Sequence, residues 1–373
     1  MRELVALDLP AGQGFVDGLR SIWDTGNAVL PVDQRLPAPA VEALLASLRP
    51  SIIMDGDGAH PRAGGVPTET GDALVVPTSG TTGVAKGVIL THGAVRASAL
   101  AVSARLQVDP ARDRWLACLP LAHIGGLAVV TRALATDTPC TVLERFETHA
   151  VEDQARAGAT LVSLVATALG RADTSGYRAV LLGGAAPPDK LAANVVTTYG
   201  MTETGSGIVY DGRPLDGVEV RIDGVGTSGE VLVRGPMLLR GYRDGTDPRR
   251  PDGWFPTGDA GRVEPDGTLL VFGRIADVIV TGGEKVWPAP VERLLATHPG
   301  VDQVTIWKRS DPEWGERVVA WVVPADPSSP PVLDELRDMV ASRLAPWAAP
   351  RELVVVASLP RTPTGKVRRA DLV

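Results

Sequence analysis

Between residues 72 and 199, short apolar runs keep alternating with stretches of helical periodicity, and few folds accept that rhythm. Ala73-Leu74-Val75-Val76, Trp115-Leu116-Ala117-Cys118-Leu119, Cys140-Thr141-Val142-Leu143, residues 160–165 and Ala179-Val180-Leu181-Leu182 read as strands, and helices are predicted over about 94–106, 126–135 and 148–157. Strands this uniformly apolar are buried on both faces, which requires helices as covers and crossovers. The pattern therefore predicts an α/β fold with a mostly parallel sheet. Ligands on such sheets lie beyond the carboxyl ends of the strands, where Ser79 and Gly184 fall.

The texture changes after Tyr199. Residues 212–273 are rich in Gly, Pro and Asp, with short runs such as Val218-Glu219-Val220-Arg221-Ile222 and Gly229-Glu230-Val231-Leu232-Val233. They predict a small antiparallel β unit with tight turns. From about residue 276 the chain reads as a compact α+β tail, with helices over 290–297 and 332–344 and strands over 301–307, 317–323 and 352–356. Residues 324–331, rich in Pro and Ser, predict a surface loop.

At 373 residues with 44% apolar side chains, the chain has material for one large domain or two. A net charge of −7 argues against a nucleic-acid surface, while leaving room for a local basic pocket. Cys118 and Cys140 form no CxxC pair and read as buried thiols in a reducing compartment. His60, His92, His123, His149 and His298 show no metal-ligand spacing. The apolar stretch 116–135 is interrupted by Pro120, His123, Gly125-Gly126 and Arg132, so no membrane span is expected. The N-terminus lacks the order of a signal peptide, and a cytoplasmic protein is expected. Arginine far outnumbers lysine, and the only lysines are Lys86, Lys190, Lys285, Lys308 and Lys366. Two of these, Lys86 and Lys366, sit beside glycines in loop-like sequence, where a compact ammonium has a use that a guanidinium does not serve.

The first of those lysines closes the run Thr78-Ser79-Gly80-Thr81-Thr82-Gly83-Val84-Ala85-Lys86-Gly87. A strand before it and a helical pattern after it predict a strand–loop–helix grip on polyphosphate, with glycines for close backbone approach and hydroxyls and amides as donors. The run fails the Walker A pattern, because Ala85 precedes the lysine and Gly87 stands where Ser or Thr would hold magnesium. Four later segments complete a set: Tyr199-Gly200-Met201-Thr202-Glu203-Thr204, residues 252–259 ending in Asp259, residues 273–288 beginning Gly273-Arg274, and residues 360–369 containing Lys366.

In this order the segments resemble the ANL superfamily of adenylate-forming enzymes, which includes acyl-CoA and aryl-CoA synthetases, peptide-synthetase adenylation domains and luciferases. The resemblance spans about residues 72–369. It implies a large N-terminal domain, 1–275, and a small mobile α+β C-terminal domain, 276–373. It implies ATP, Mg2+ and CoA as the small molecules handled. Residue by residue, Thr78, Ser79, Gly80, Thr81, Thr82, Gly83 and Lys86 resemble the phosphate loop. Gly184 and Ala185 resemble the loop beside the adenine, and Tyr199 the aromatic packed on it. Thr202 resembles the residue that bonds the α-phosphate, and Glu203 the magnesium ligand. Asp259 resembles the carboxylate on the ribose hydroxyls, with Arg274 near the same sugar. Lys366 resembles the catalytic lysine that the mobile domain delivers for the first half-reaction. The acid pocket would come from His123, Gly125, Ser163, Thr167, Gly200 and Gly205. Ala85 stands where the family usually has Pro, Ala276 at the usual hinge position with Asp277 next to it, and Lys285 where relatives often carry Asn.

The implied chemistry suits these residue types. A carboxylate attacks the α-phosphate of ATP and pyrophosphate leaves, so catalysis is mainly positioning and charge neutralisation. The early phosphate loop and the segments Pro120-Leu121-Ala122-His123-Ile124-Gly125-Gly126, Leu161-Val162-Ser163-Leu164-Val165-Ala166-Thr167 and Leu181-Leu182-Gly183-Gly184-Ala185-Ala186-Pro187 are similar to those of acid–CoA ligases acting on o-succinylbenzoate in menaquinone biosynthesis. Another aryl- or acyl-adenylating enzyme that loads CoA or a carrier protein is the alternative, and thioester formation with free CoA separates the two. A non-catalytic nucleotide-binding module is a third reading, opposed by the presence of Lys366, Glu203 and Asp259. A homodimer is left open.

Overall fold

The computed structural model describes residues 2–79, 85–185, 187–188, 190–224, 228–361 and 367–372. Two compact units form. One comprises Met1–Arg221, Leu232–Pro256 and Pro265–Leu269, and the other Ile222–Val231, Thr257–Glu264 and Leu270–Val373.

The first unit opens with a βαβαβ arrangement that the sequence reading did not resolve. Strands β1 (Leu4–Leu7), β2 (Ala28–Pro31) and β3 (Ile52–Asp55) are joined by helices α1 (Gln13–Asp24) and α2 (Ala38–Leu48). β1 runs parallel to both β2 and β3, and its four residues are all buried. Helix α1 turns Phe15, Val16, Leu19 and Ile22 inward, the spacing of a single helical face. Strands β4 (Gly58–Pro61), β5 (Asp72–Ser79) and β6 (Ala85–Thr91) and the two-residue strand Gly241–Tyr242 complete a seven-stranded sheet. Its order is Gly241–Tyr242, β6, β5, β2, β1, β3, β4.

Here the structure corrects the strand–loop–helix expectation. A strand, β6, lies between residues 80–84 and helix α3 (His92–Leu106), and it pairs antiparallel with β5 in the register Val76↔Val88 and Thr78↔Lys86. The two ends of the run, Thr78-Ser79 and Ala85-Lys86, thus pair with each other on antiparallel strands, and Lys86 sits on the returning one. Gly87 permits the pairing of layers at this point. A Cβ there would lie 2.7 Å from Val75 Cγ1 and 3.0 Å from Arg243 Cβ.

The second seven-stranded sheet carries the predicted alternation. Strands β7 (Trp115–Ala117), β8 (Cys140–Val142), β9 (Leu161–Val165), β10 (Ala179–Gly183) and β11 (Val195–Met201) run parallel. β12 (Ser206–Tyr210) returns antiparallel to β11, and β13 (Arg213–Pro214) runs antiparallel to β12. Helices α4 (Ile124–Ala135) and α5 (Thr148–Arg156) lie close to their predicted bounds. Leu116, Val162, Leu164 and Val180 form part of a core with Val151 of α5 and Tyr177. Helix α3 begins at Thr91, whose Oγ1 accepts from Ala94 N at 3.1 Å, an N-cap of the usual kind.

The predicted β unit is a four-stranded sheet of Glu219–Asp223, Gly229–Arg234, Phe255–Val263 and Leu269–Arg274. The tail is α+β as expected. Val301–Asp311 and Gly315–Pro324 form a long hairpin, Glu352–Val355 runs parallel to the second of these strands, and helices Pro288–Leu295 and Leu333–Arg343 cover it. Leu295, Ile306, Val318, Val322, Leu336 and Val340 make its core. Among the described residues no helix is long and apolar enough to cross a membrane.

Candidate active site

The paired strands β5 and β6 supply the first group of side chains. Thr78 is half-buried, and its Oγ1 donates to the Lys86 carbonyl at 3.3 Å across the strand pair. Lys86 is exposed, and its Nζ lies 5.1 Å from the centroid of the Tyr242 ring. Ser79 ends β5, whereas Gly80, Thr81, Thr82 and Gly83 lie outside the described residues.

Glu203 sits in the 3-10 turn Thr202–Thr204, directly after β11. The turn is locked by Thr204, whose Oγ1 accepts from Met201 N at 2.9 Å and lies 2.7 Å from the Ser206 carbonyl. That leaves the side chains of Thr202 and Glu203 half-buried, and Tyr242 Oη donates to Glu203 Oε1 at 2.9 Å. Tyr199 lies three residues before the turn in β11, opposite Val209, and Gly184 follows β10 with φ +85. The carboxyl ends of β10 and β11 thus present Gly184, Ala185, Tyr199, Thr202 and Glu203, as parallel-sheet logic requires. Gly200 and Gly205 have a backbone reason to be glycine. A Cβ at Gly200 would meet the Ser206 carbonyl at 2.1 Å, and Gly205 holds φ +69.

His123 precedes α4, and its Nε2 is 3.2 Å from Asp33 Oδ2 and 2.9 Å from Arg35 Nη2. Arg35 in turn grips Asp33 at 2.7 Å. Burial works to raise the Asp33 pKa, but the hydrogen bonds and charge of Arg35, with His123, outweigh it and hold the carboxyl below its usual value. Sequence reasoning did not connect this N-terminal pair to His123. Gly125 is exposed at the start of α4, whereas Gly126 is required there, since a Cβ would meet the Leu119 carbonyl at 2.4 Å.

A residue that sequence reasoning passed over lies one helical face further on. Arg132 is 3% exposed, its guanidinium stands 4.9 Å from the Trp115 ring, and among the described residues its Nε and Nη1 have no hydrogen-bond partner. Burial pushes its pKa below the ordinary arginine value. A small cavity is lined by Arg132, Thr131, Ala128 and Ile124 of α4, Ser98 of α3, and Gly205. Gly205 thus joins the predicted pocket to an unforeseen buried cation. Ser163, half-buried in β9, and Thr167, exposed in the short helix Ala166–Leu169, do not line this cavity. The only sequence signal for Arg132 was a charge interrupting an apolar run.

In the second unit Asp259 lies in the strand Phe255–Val263 and is 6% exposed. Arg274 Nε stands 3.1 Å from Asp259 Oδ1, and Arg274 Nη1 donates to the Thr257 carbonyl at 2.7 Å. Thr257 Oγ1 accepts from Asp259 N at 3.1 Å and lies 2.7 Å from the Val231 carbonyl, which fixes the backbone at Asp259. The predicted neighbours Asp259 and Arg274 are therefore in contact. Lys366 lies outside the described residues. Arg361 and Val367 on either side of it form an antiparallel bridge. Asp277, beside the expected hinge, pairs with Arg369 at 2.6 Å, and Arg369 also reaches Glu292 at 2.9 Å.

Among the described residues no group of three or more His, Cys, Asp or Glu side chains could hold a metal by itself. Glu203, a single oriented carboxylate, suits magnesium, which is commonly held by one or two carboxylates together with water and substrate phosphates.

Known proteins share both the sequence and the shape. Residues 56–243 match the AMP-binding enzyme family, and residues 290–366 match the AMP-binding enzyme C-terminal domain. A Mycobacterium tuberculosis (strain ATCC 25618 / H37Rv) protein named "Probable 2-succinylbenzoate--CoA ligase" is 40% identical over 393 residues, covering 99% of this chain and 97% of that protein. The 2-succinylbenzoate–CoA ligase of Bacillus cytotoxicus is 33% identical over 80% of this chain and 69% of its own length. Among solved structures, o-succinylbenzoate CoA synthetase from Bacillus subtilis in complex with its acyl-adenylate intermediate superposes with a TM-score of 0.87 at 27% identity, covering 99% of this chain and 88% of that one. The same enzyme with ATP and magnesium ion gives a TM-score of 0.85 at 27% identity over 99% of this chain and 89% of that one.

Proposed function

This chain belongs to the AMP-binding enzyme family, and from that premise we propose that it is an ATP-dependent acid–CoA ligase that converts o-succinylbenzoate to o-succinylbenzoyl-CoA through an acyl-adenylate. The relatives support the reaction, and the buried Arg132 carries the choice of acid. The substrate is a dicarboxylate, and only one carboxylate is activated. The other needs a cation out of water, and the buried guanidinium of Arg132, its Nε and Nη1 unpartnered beside the cavity at Gly205, is the candidate.

In the first half-reaction a carboxylate oxygen of the acid attacks the α-phosphorus of ATP, and the bond to pyrophosphate breaks. Lys86 and residues 78–83 neutralise the leaving phosphates, Thr202 donates to the α-phosphate, and Tyr199 with Gly184 and Ala185 holds the adenine. Asp259, paired with Arg274 at 3.1 Å, accepts from the ribose hydroxyls. Lys366 neutralises charge at the reacting oxygens. Magnesium, when bound at Glu203, supplies further neutralisation of the phosphates. In the second half-reaction the CoA thiolate attacks the acyl carbon and AMP leaves with the electrons of the acyl–phosphate bond. Residues 1–275 serve as the adenylate-binding domain and residues 276–373 as the mobile one, with His123 at the acid pocket. The setting is cytoplasmic, and sedimentation of the chain would show whether it works as a homodimer.

The test is CoA ligation over a panel of carboxylic acids, including o-succinylbenzoate and its analogue lacking the ring carboxylate. Preference for the dicarboxylate is expected. Thioester formation on a carrier protein but not on free CoA would favour the other adenylating enzymes.

A further inference from the structure

The five residues 239–243 run as one strip from the Glu203 turn to strand β6. At one end Leu239 N donates to the Glu203 carbonyl at 2.8 Å, and at the other Arg243 N donates to the Gly87 carbonyl at 2.7 Å. Between them Gly241 and Tyr242 pair with Ile89 and Val88 of β6. The strip is anchored from outside as well. Arg240 forks onto the buried Asp72 at 2.8 and 3.0 Å, and Arg243 reaches the Leu48 and Pro67 carbonyls at 3.1 and 2.8 Å. Tyr242 therefore has little freedom, and its side chain meets both chemical groups. Its hydroxyl donates to Glu203 Oε1 at 2.9 Å, and its ring lies 5.1 Å from Lys86 Nζ, within cation–π reach.

Resting on the roles proposed above for Glu203 and Lys86, we infer that Tyr242 is a positioning residue that presents the metal-binding carboxylate and the phosphate-binding ammonium while keeping them apart. A carboxylate in the turn and an ammonium on the adjoining strand β6 would otherwise neutralise each other, and among the described residues Lys86 makes no ion pair within 4.0 Å, although its charge acts on the Asp244 carboxylate from further off. The tyrosine offers each a weaker partner. A hydroxyl donor occupies one of about four acceptor sites of the carboxylate and leaves the others for a cation. A ring face holds the ammonium without hydrogen-bonding its three protons, which stay available to phosphate oxygens. Holding both side chains in place removes part of the ordering cost of binding Mg·ATP.

Mn2+ serves as the probe, with ATP present and no acid, so nothing turns over. Free Mn2+ is read by electron paramagnetic resonance, and ATP affinity without metal by calorimetry in EDTA. Tyr242→Phe should weaken Mn2+ binding to the enzyme–ATP complex on the order of tenfold and leave metal-free ATP affinity unchanged. Tyr242→Leu should add a severalfold loss of metal-free ATP affinity. In a Glu203→Gln background, Tyr242→Phe should change Mn2+ affinity no further, a result that general loosening of the fold would not produce. Unchanged Mn2+ affinity in Tyr242→Phe, or an equal loss in the Glu203→Gln background, overturns the inference. Wild-type Mn2+ affinity in Glu203→Gln alone overturns the Glu203 role itself, so the two failures are distinguishable. Melting curves of each variant confirm folding, and if Tyr242→Leu does not fold, the Phe variant and the double mutant still decide.

Discussion

Replacing Arg132 with methionine should make the free protein more stable and the enzyme worse. The guanidinium is 3% exposed and leaves Nε and Nη1 without partners among the described residues. Each unsatisfied buried donor costs about 1–3 kcal/mol, more when charged, and the Trp115 face returns about 2 kcal/mol. The net penalty in the free protein is on the order of 1–3 kcal/mol. Methionine has similar reach, carries no charge and packs well against an indole. Arg132→Met should therefore raise the melting temperature, at about 2–4 °C per kcal/mol for a chain unit of this size. The acid should lose the charge-assisted hydrogen bonds that the guanidinium keeps in reserve. Truncating one partner of a buried charge pair costs about 2–5 kcal/mol, or roughly 30- to 5,000-fold in kcat/KM. Scanning calorimetry and a coupled pyrophosphate assay measure the two effects. The assay should compare o-succinylbenzoate with the analogue lacking its ring carboxylate, whose kcat/KM should change far less. A variant that melts lower and keeps the wild-type ratio between the two acids would refute the reasoning, because Arg132 would then be holding the fold rather than the substrate.

Lys366→Ala should slow acyl-adenylate formation on the order of 10³-fold while sparing thioester formation from supplied adenylate, since about 4 kcal/mol is the worth of a unit charge pair at an effective dielectric near 20. Equal loss in both half-reactions would contradict that role. Asp259→Ala should weaken ATP binding by about 10- to 100-fold in calorimetry, the worth of hydrogen bonds to a charged group, and strip Arg274 of its partner at 3.1 Å. Unchanged ATP affinity would remove the ribose assignment. Burial pushes the thiols of Cys118 and Cys140 up to about 12 from 9.0. Both should resist thiol reagents at pH 8 until the protein unfolds, and rapid labelling of the native protein would show the environment to be misread. Because these folded-state pKa values are raised, the unfolded chain ionises first. The stability they contribute is fully present below pH 9 and should be lost as pH rises from 9 toward 12, which denaturant midpoints across that window would track.

The alternating region was legible because its strands are short, apolar and bounded by small residues, so Val162, Val180 and Leu116 had no other place to go than a covered sheet. The N-terminal βαβαβ was not, although it obeys the same rule. Its strands are four residues long, and β1 has no flanking repeat to set it off from a random apolar cluster. The strand after the phosphate run was misread for a related reason. A glycine- and hydroxyl-rich loop after a strand predicts a helix next, and the returning strand Ala85–Thr91 is visible only once its pairing with β5 is known. The site motifs were legible because backbone and chemistry both restrict them: Gly200 and Gly205 are demanded by the turn, and Glu203 is carried by it.

By itself the sequence determined the covered parallel sheet, the order of the motifs and the chemical kinds of residue at each position, because periodicity and turn chemistry are local properties of a chain. Tertiary structure alone decided which of those groups meet. Tyr242 lies 39 residues from Glu203 and still reaches it, through a strand paired with β6. Arg132 is a charge in an apolar run until α3, α4 and the turn at Gly205 close around it. Burial and unmet hydrogen bonds are properties of the packed molecule, and no pattern along the chain shows them.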